Sequence, residues 1–133
     1  LNHRLQAKYR EVEEKEVRHE AYNCDDAEIV FVSYGTSSRV VRNAIDDLRK
    51  EGVAAGLIRP ITLWPFPYKA FDALPERTKA LMSVEMSEGQ MIDDVKIASN
   101  GRWPVGFHGR SGGMIPAKSD IIAAAKKLLQ EVK

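Results

Sequence analysis

A mostly parallel α/β fold is predicted by three features of the sequence. Between Glu28 and Arg59 an apolar β-branched run, a tight turn, an amphipathic helical stripe and a second apolar run follow one another, as a β-α-β unit requires. The alternation of short apolar runs with helical stripes then continues to the end of the chain, which is the pattern of a parallel sheet with helices on both faces. The chain has 133 residues, 44% of them hydrophobic, and a chain of that length hides roughly two thirds of its unfolded surface. One core is therefore available without disulfides.

Leu5, Tyr9 and Val12 stand at i, i+4 and i+7 in an otherwise charged stretch, which predicts a connecting helix with one narrow apolar stripe. Residues 1–22 are read as this connecting helix and linker, and residues 23–133 as the α/β domain. Glu28 to Tyr34 carries four consecutive apolar residues, Ile29 to Val32, and reads as a strand covered on both faces. Gly35 ends it, Thr36, Ser37 and Ser38 are N-cap candidates, and Val40, Val41, Ala44, Ile45 and Leu48 form a helical stripe that closes at Gly52. Val53 to Arg59 is the second strand. Pro60, Pro65 and Pro67 then forbid a continuous helix, leaving a rigid connection and a short helix through Tyr68, Ala70 and Phe71 that Pro75 stops. Lys79 to Glu85 gives a third strand. Ser87 and Gln90 have capping-box spacing ahead of a helix with Met91, Ile92, Val95 and Ala98 inward, closed by Asn100 and Gly101. Pro104 to His108 is a fourth strand, Gly109 to Gly113 a turn, and Ile121, Ile122, Ala125, Leu128, Leu129 and Val132 line a final helix.

Composition removes several functions. Twenty Lys and Arg against 19 Asp and Glu leave a formal charge of +1, which supplies no broad field for a nucleic-acid backbone. The single cysteine, Cys24, can form no internal disulfide and cannot supply the thiolates of an iron–sulfur cluster or structural zinc site. No apolar run approaches the ~20 residues of a membrane span. The start at Leu1 carries no secretory-leader pattern and no Met, so a cytoplasmic fragment of a longer protein is expected.

Residues that bear on function are few. The turn Gly35, Thr36, Ser37 and Ser38, between a strand and a helix, gathers free amides at a positive dipole end and is a candidate anion site; the alternative is an ordinary glycine turn with a serine cap. His108 to Gly113 joins a titratable ring, Arg110 and a flexible backbone at the carboxyl end of a predicted strand, where open α/β sheets bind ligands, or forms a structural or interface turn. No nucleophile and base pair can be assigned there. Glu85 and Glu88 read as carboxylates near a helix start, and Asp46-Asp47 and Asp93-Asp94 as solvated helix faces. Trp64 and Phe66 are either core anchors or an aromatic patch for a neighbouring domain. Cys24, beside Asp25 and Asp26, is poorly placed to ionise.

Taken in order, Asp25-Asp26-Ala27-Glu28, Tyr34-Gly35-Thr36-Ser37-Ser38, the run Leu57-Ile58-Arg59-Pro60-Ile61-Thr62-Leu63-Trp64-Pro65-Phe66-Pro67, Gly89-Gln90-Met91 with Asp94-Val95, and Gly109-Arg110 with Gly112-Gly113 resemble the C-terminal domain of 2-oxoacid:ferredoxin oxidoreductase α subunits. Asn2 to Arg10 resembles the interdomain segment of the branched-chain (2-oxoisovalerate) members. The resemblance implies a transketolase C-terminal-like, three-layer α/β/α sandwich with a mostly parallel five-stranded sheet. A fifth strand would come from Val17 to Tyr22 or Ile61 to Leu63, antiparallel at an edge if present. It further implies a holoenzyme with thiamine diphosphate, magnesium and iron–sulfur clusters, which converts a 2-oxoacid to acyl-CoA while reducing ferredoxin. These cofactors are expected outside this chain. Other domains and subunits are the expected partners, with ferredoxin and CoA acting on the complex, and Trp64, Phe66, Gly89, Gln90, Arg110, Ser111, Gly112 and Gly113 as candidate contacts. Two alternatives stand beside it. One is a small-anion or nucleotide-binding module using the Gly35 turn and the glycines at 109, 112 and 113. The other is the equivalent domain of a transketolase or 2-oxoacid dehydrogenase β subunit.

Overall fold

In the computed structural model, residues 18–61, 66–86, 91–109 and 116–132 are described. Five strands, β1 (His19–Tyr22), β2 (Ile29–Ser33), β3 (Ala55–Pro60), β4 (Ala80–Glu85) and β5 (Val105–Gly109), form a sheet of order β1-β3-β2-β4-β5. The pairs β2–β3, β2–β4 and β4–β5 are parallel, and β1 runs antiparallel to β3 at the edge, with His19 opposite Pro60 and Tyr22 opposite Leu57. The fifth strand thus comes from His19 to Tyr22. Ile61 is tied to the same edge by its N–H, which donates to the Arg18 carbonyl at 3.0 Å. The connecting helix expected earlier in the chain lies outside the described residues.

Two layers of helix close the sheet. Helices α1 (Thr36–Lys50) and α3 (Lys118–Glu131) cover one face, where Ile29, Phe31, Leu57, Met82 and Val84 meet Val41, Ile45, Leu48, Ile121 and Ala125. A 3-10 helix (Tyr68–Ala73) and α2 (Ile92–Ser99) cover the other, where Val30, Val32, Ile58 and Leu81 meet Phe66, Phe71, Met91 and Val95. Every residue of β2 and of β4 is buried, because each is flanked by parallel neighbours on both sides and covered on both faces.

Local structure follows the predicted pattern with two shifts. The N-cap of α1 is Gly35, not a hydroxyl residue, and no side chain caps that end. Helix α2 begins at Ile92 with Met91 as its N-cap, later than a capping box at Ser87 and Gln90 would place it; those two residues lie outside the described ones. Asn100 ends α2 in the left-handed region at φ 52°. Leu74 is extended, as the residue before Pro75 must be to avoid the proline ring, so the 3-10 helix stops there. Gly56 in β3 is required by close approach: a Cβ there would stand 2.8 Å from the Asn23 carbonyl oxygen.

Candidate functional site

Because β2, β3, β4 and β5 are mutually parallel, their carboxyl ends lie along one edge of the sheet, the edge on which open α/β folds place their ligands and contacts. The candidate anion and contact segments leave from it, whereas Asp25 to Glu28 lead into β2 at the opposite edge. The Gly35 turn follows β2, Trp64 and Phe66 follow β3, Gly89 and Gln90 follow β4, and Arg110 to Gly113 follow β5. Of these, Trp64, Gly89, Gln90, Arg110, Ser111, Gly112 and Gly113 lie outside the described residues.

At the end of β2, Gly35 adopts φ 62° and ψ −146°, a backbone open in practice to glycine alone. The turn spends its serine hydroxyls internally. The Ser38 hydroxyl donates to the Gly35 carbonyl at 2.6 Å, and Ser33 donates to the Val84 carbonyl at 3.0 Å. The Ser37 hydroxyl, 2.8 Å from both the Tyr34 carbonyl and Ser33 Oγ, has one proton for one of them. Ser37 and Ser38 are accordingly 2% and 1% exposed, so an anion at this turn would meet backbone amides and not serine hydroxyls. Beside it Tyr34, Gly35, Thr36, Arg39, Arg59, Pro60 and Ile61 line a hollow of about 520 Å³. Arg59 already faces Glu20 at 3.6 Å.

At the end of β3, Phe66 settles into the core. It is 4% exposed, with its ring 6.0 Å from Phe71 at an interplanar angle of 20° and 5.1 Å from Tyr68 at 57°. Among the described residues it stands as a core anchor, one of the two roles open to it in the sequence.

The end of β4 holds a group the sequence reading underrated. Glu85 is 0% exposed, with Oε1 accepting the Met91 N–H at 2.6 Å and Oε2 accepting the Ser83 hydroxyl at 3.3 Å. The signal was present: an acid that closes an apolar run in a strand flanked on both sides must be buried and matched. On β5, His108 is paired with Val84 across the ladder, and its Nε2 is buried with no hydrogen-bond partner among the described residues.

The remaining candidates take structural roles. Asp46 accepts the Tyr22 hydroxyl at 2.7 Å, Asp94 accepts the Tyr68 hydroxyl at 2.7 Å, and Asp47 pairs with Lys118 at 2.8 Å. The bond to Asp46 raises the Tyr22 pKa. Cys24 directs its thiol to the Leu57 carbonyl at 3.2 Å, and burial, more than the charge of Asp25, pushes its pKa up. Among the described residues no three His, Cys, Asp or Glu side chains are grouped as metal ligands, and no helix is long and apolar enough to cross a membrane.

Comparison with known proteins gives a consistent setting. Residues 27–121 match the family described as pyruvate:ferredoxin oxidoreductase core domain II. The chain is 47% identical over 131 residues to the ketoisovalerate oxidoreductase subunit VorB of Methanothermobacter marburgensis, covering 98% of this chain and 37% of that protein. It is 39% identical over 98 residues to the 2-oxoglutarate synthase subunit KorA of the same organism, covering 74% of this chain and 26% of that protein. The match therefore spans 37% of the length of one of these relatives and 26% of the other. Among solved structures, the 2-oxoglutarate:ferredoxin oxidoreductase of Magnetococcus marinus superposes with a TM-score of 0.79 at 23% identity, over 97% of this chain and 23% of that one. A split-gene transketolase superposes with a TM-score of 0.69 at 18% identity, over 87% of this chain and 42% of that one. At those identities the structures speak for the fold, a transketolase-like α/β sandwich.

Proposed function

The chain belongs to the pyruvate:ferredoxin oxidoreductase core domain II family, and on that premise we propose that it is a contact-forming domain of a cytoplasmic, thiamine-diphosphate-dependent 2-oxoacid:ferredoxin oxidoreductase acting on a branched-chain 2-oxoacid. The observation that carries the substrate assignment is the 47% identity, over nearly the whole chain, to a ketoisovalerate oxidoreductase subunit, against 39% over three quarters of it to a 2-oxoglutarate synthase subunit. The holoenzyme would decarboxylate the 2-oxoacid, pass two electrons to ferredoxin and release an acyl-CoA.

Among the described residues no side chains are grouped as an iron–sulfur cluster or a magnesium ion would need. An iron–sulfur cluster takes several thiolates, and the one cysteine is half-buried with its thiol turned to a carbonyl oxygen. No described cluster of carboxylates and imidazoles suits magnesium. On the family resemblance, thiamine diphosphate, its metal and the clusters are placed in other parts of the assembly, and no chemical step is assigned to these side chains. What the domain contributes is a rigid sheet whose carboxyl edge presents the segments with Trp64, Gly89, Gln90 and Arg110 to Gly113 to neighbouring domains and subunits.

The test is an assay of the full-length protein with its partner subunits, CoA and ferredoxin. 2-Oxoisovalerate is expected to exceed 2-oxoglutarate and pyruvate in kcat/KM by about tenfold or more, the scale that pocket shape provides. The 133-residue chain alone is expected to be inactive. Turnover by the isolated chain would refute the contact role, and preference for 2-oxoglutarate would refute the substrate while leaving the domain assignment in place.

A further inference from the structure

Three hollows on the described surface differ in how their charges are matched. The one between α1 and α3, about 550 Å³, is lined by Asp47 and Glu51 together with Lys50 and Lys126, and Lys126 bonds Glu51 at 3.0 Å. The one beside the 3-10 helix, about 300 Å³, is lined by Lys69, Asp72 and Arg102, and Arg102 pairs with Asp72 at 3.0 Å. The hollow at the carboxyl edge, about 520 Å³, holds Arg39 and Arg59 and has no carboxylate in its lining. Of the three, it alone gathers positive charge without a counter-charge.

Both guanidinium groups stand on rigid elements, which fixes where their charge is presented. Arg59 lies in β3 opposite Glu20 of β1, and an exposed pair 3.6 Å apart leaves most of its donors for a second carboxylate. Arg39 lies near the start of α1, exposed and in no ion pair among the described residues. The same lining has an apolar side of Tyr34, Pro60 and Ile61, and Ile61 is 49% exposed although its N–H is tied to the Arg18 carbonyl. That combination selects the occupant. A free inorganic anion would use the arginines and leave Ile61 wet, whereas a protein segment with an Asp or Glu beside an apolar side chain uses both. Exposed guanidinium groups also suit a partner that arrives by diffusion, because they steer its encounter. We propose that this hollow docks an acidic segment of a partner subunit, with Arg39 and Arg59 holding one carboxylate and Ile61 covered by the apolar residue next to it. This rests on the contact role proposed above and gives the chemistry of the partner.

The test uses the full-length subunit and its partner subunits. Arg39→Glu sets a like charge against the incoming carboxylate at an exposed position where the fold has nothing to lose. The assembly constant is expected to fall by about tenfold or more at low salt, and by less than about threefold in about 1 M salt, where charges are screened within about 3 Å. Ile61→Ser is expected to weaken assembly by about threefold to tenfold at both salt concentrations, because its share is apolar. Arg39→Lys keeps the charge and supplies an amine. Treated with a carbodiimide in the assembled enzyme, that amine is expected to form an amide bond with an Asp or Glu of a partner subunit.

The docking site is overturned if Arg39→Glu leaves assembly unchanged, if its effect is the same at both salt concentrations, or if the crosslink reaches only carboxylates of its own polypeptide. It is overturned equally if Ile61→Ser leaves assembly unchanged, since a bare anion would then fill the hollow; inorganic phosphate would in that case raise the melting temperature of the parent subunit and not that of Arg39→Glu. The contact role is read separately, from hydrogen exchange in the free and assembled subunit. Slowing along the carboxyl edge with a neutral Arg39→Glu keeps the contact role and removes the docking site alone. No slowing along that edge removes both.

Discussion

Gly35 and Cys24 show how much of this domain is decided at single residues. With φ 62° and ψ −146°, Gly35 occupies a region that a side chain makes costly, although a Cβ would meet no atom within 4 Å. The penalty for Gly35→Ala is therefore one of backbone strain, not collision, and about 1–3 kcal/mol of stability should be lost in urea denaturation. A loss well below that range would mean the turn relaxes into another conformation. For Cys24 the expected effect is on reactivity. Burial raises its pKa from the ordinary 9.0, so less thiolate is present at any given pH in the folded chain than in the unfolded one. Alkylation at pH 8 should be slower by about tenfold in the native state than in urea. The linked stability has a definite sign: it is complete below pH 9.0, where both states are protonated, and is lost as pH rises through the raised native value.

Between residue and fold, the last turn of α1 is fastened by one side chain. Arg49 donates from Nε to the Ala55 carbonyl at 2.9 Å, from Nη2 to the Asn23 carbonyl at 2.7 Å, and to both Asp26 oxygens at 2.7 and 3.2 Å, which joins α1, the turn at 23–26 and the start of β3. A lysine has the charge without the fork, so Arg49→Lys should cost about 1–2 kcal/mol in chemical denaturation and should not behave as a conservative change. The hydrogen bond from Arg49 holds the Asp26 carboxyl below its usual 3.8. That contribution is present above pH 3.8 and is lost as pH falls through the lowered native value, so Asp26→Asn should flatten the acid limb of the stability profile below pH 3.8. The same scale shows where sequence reading reached its limit. The covered strands β2, β3 and β4 could be read directly, because strands covered on both faces read as near-continuous apolar runs. Strand β1 could not: His19, Glu20 and Ala21 are exposed on an antiparallel edge and carry no apolar period, and it was the family resemblance that called for it. The start of α2 was misplaced for a related reason. The sequence displays the local pair Ser87 and Gln90, while the N-cap is Met91, with no side-chain cap of its own and its N–H taken through space by Glu85.

For the whole molecule, the direction of the sheet is what gives the chain a functional side. Four parallel strands send the candidate contact segments out of one edge, while the outer side of α1 with its C-cap and of α3 carries the ion pairs Lys118 to Asp47 at 2.8 Å and Lys126 to Glu51 at 3.0 Å, as a solvent-facing layer would. Order along the chain made the candidate segments legible; their convergence on a common edge needed the strand order β1-β3-β2-β4-β5 and was beyond any periodicity. If that edge is where the oxidoreductase assembles, hydrogen exchange should divide the domain in two. Comparison of the subunit free and assembled should show residues 62–65, 87–90 and 110–113 slowing together, by about tenfold or more for amides that lose access to water. Amides of α1 and α3 should keep the same rates in both states, since their hydrogen bonds are internal to the helices and their outer faces are already satisfied by paired charges. Protection confined to α1 and α3 would place the contact on the opposite layer and would reduce the carboxyl-edge segments to connections between strands and helices.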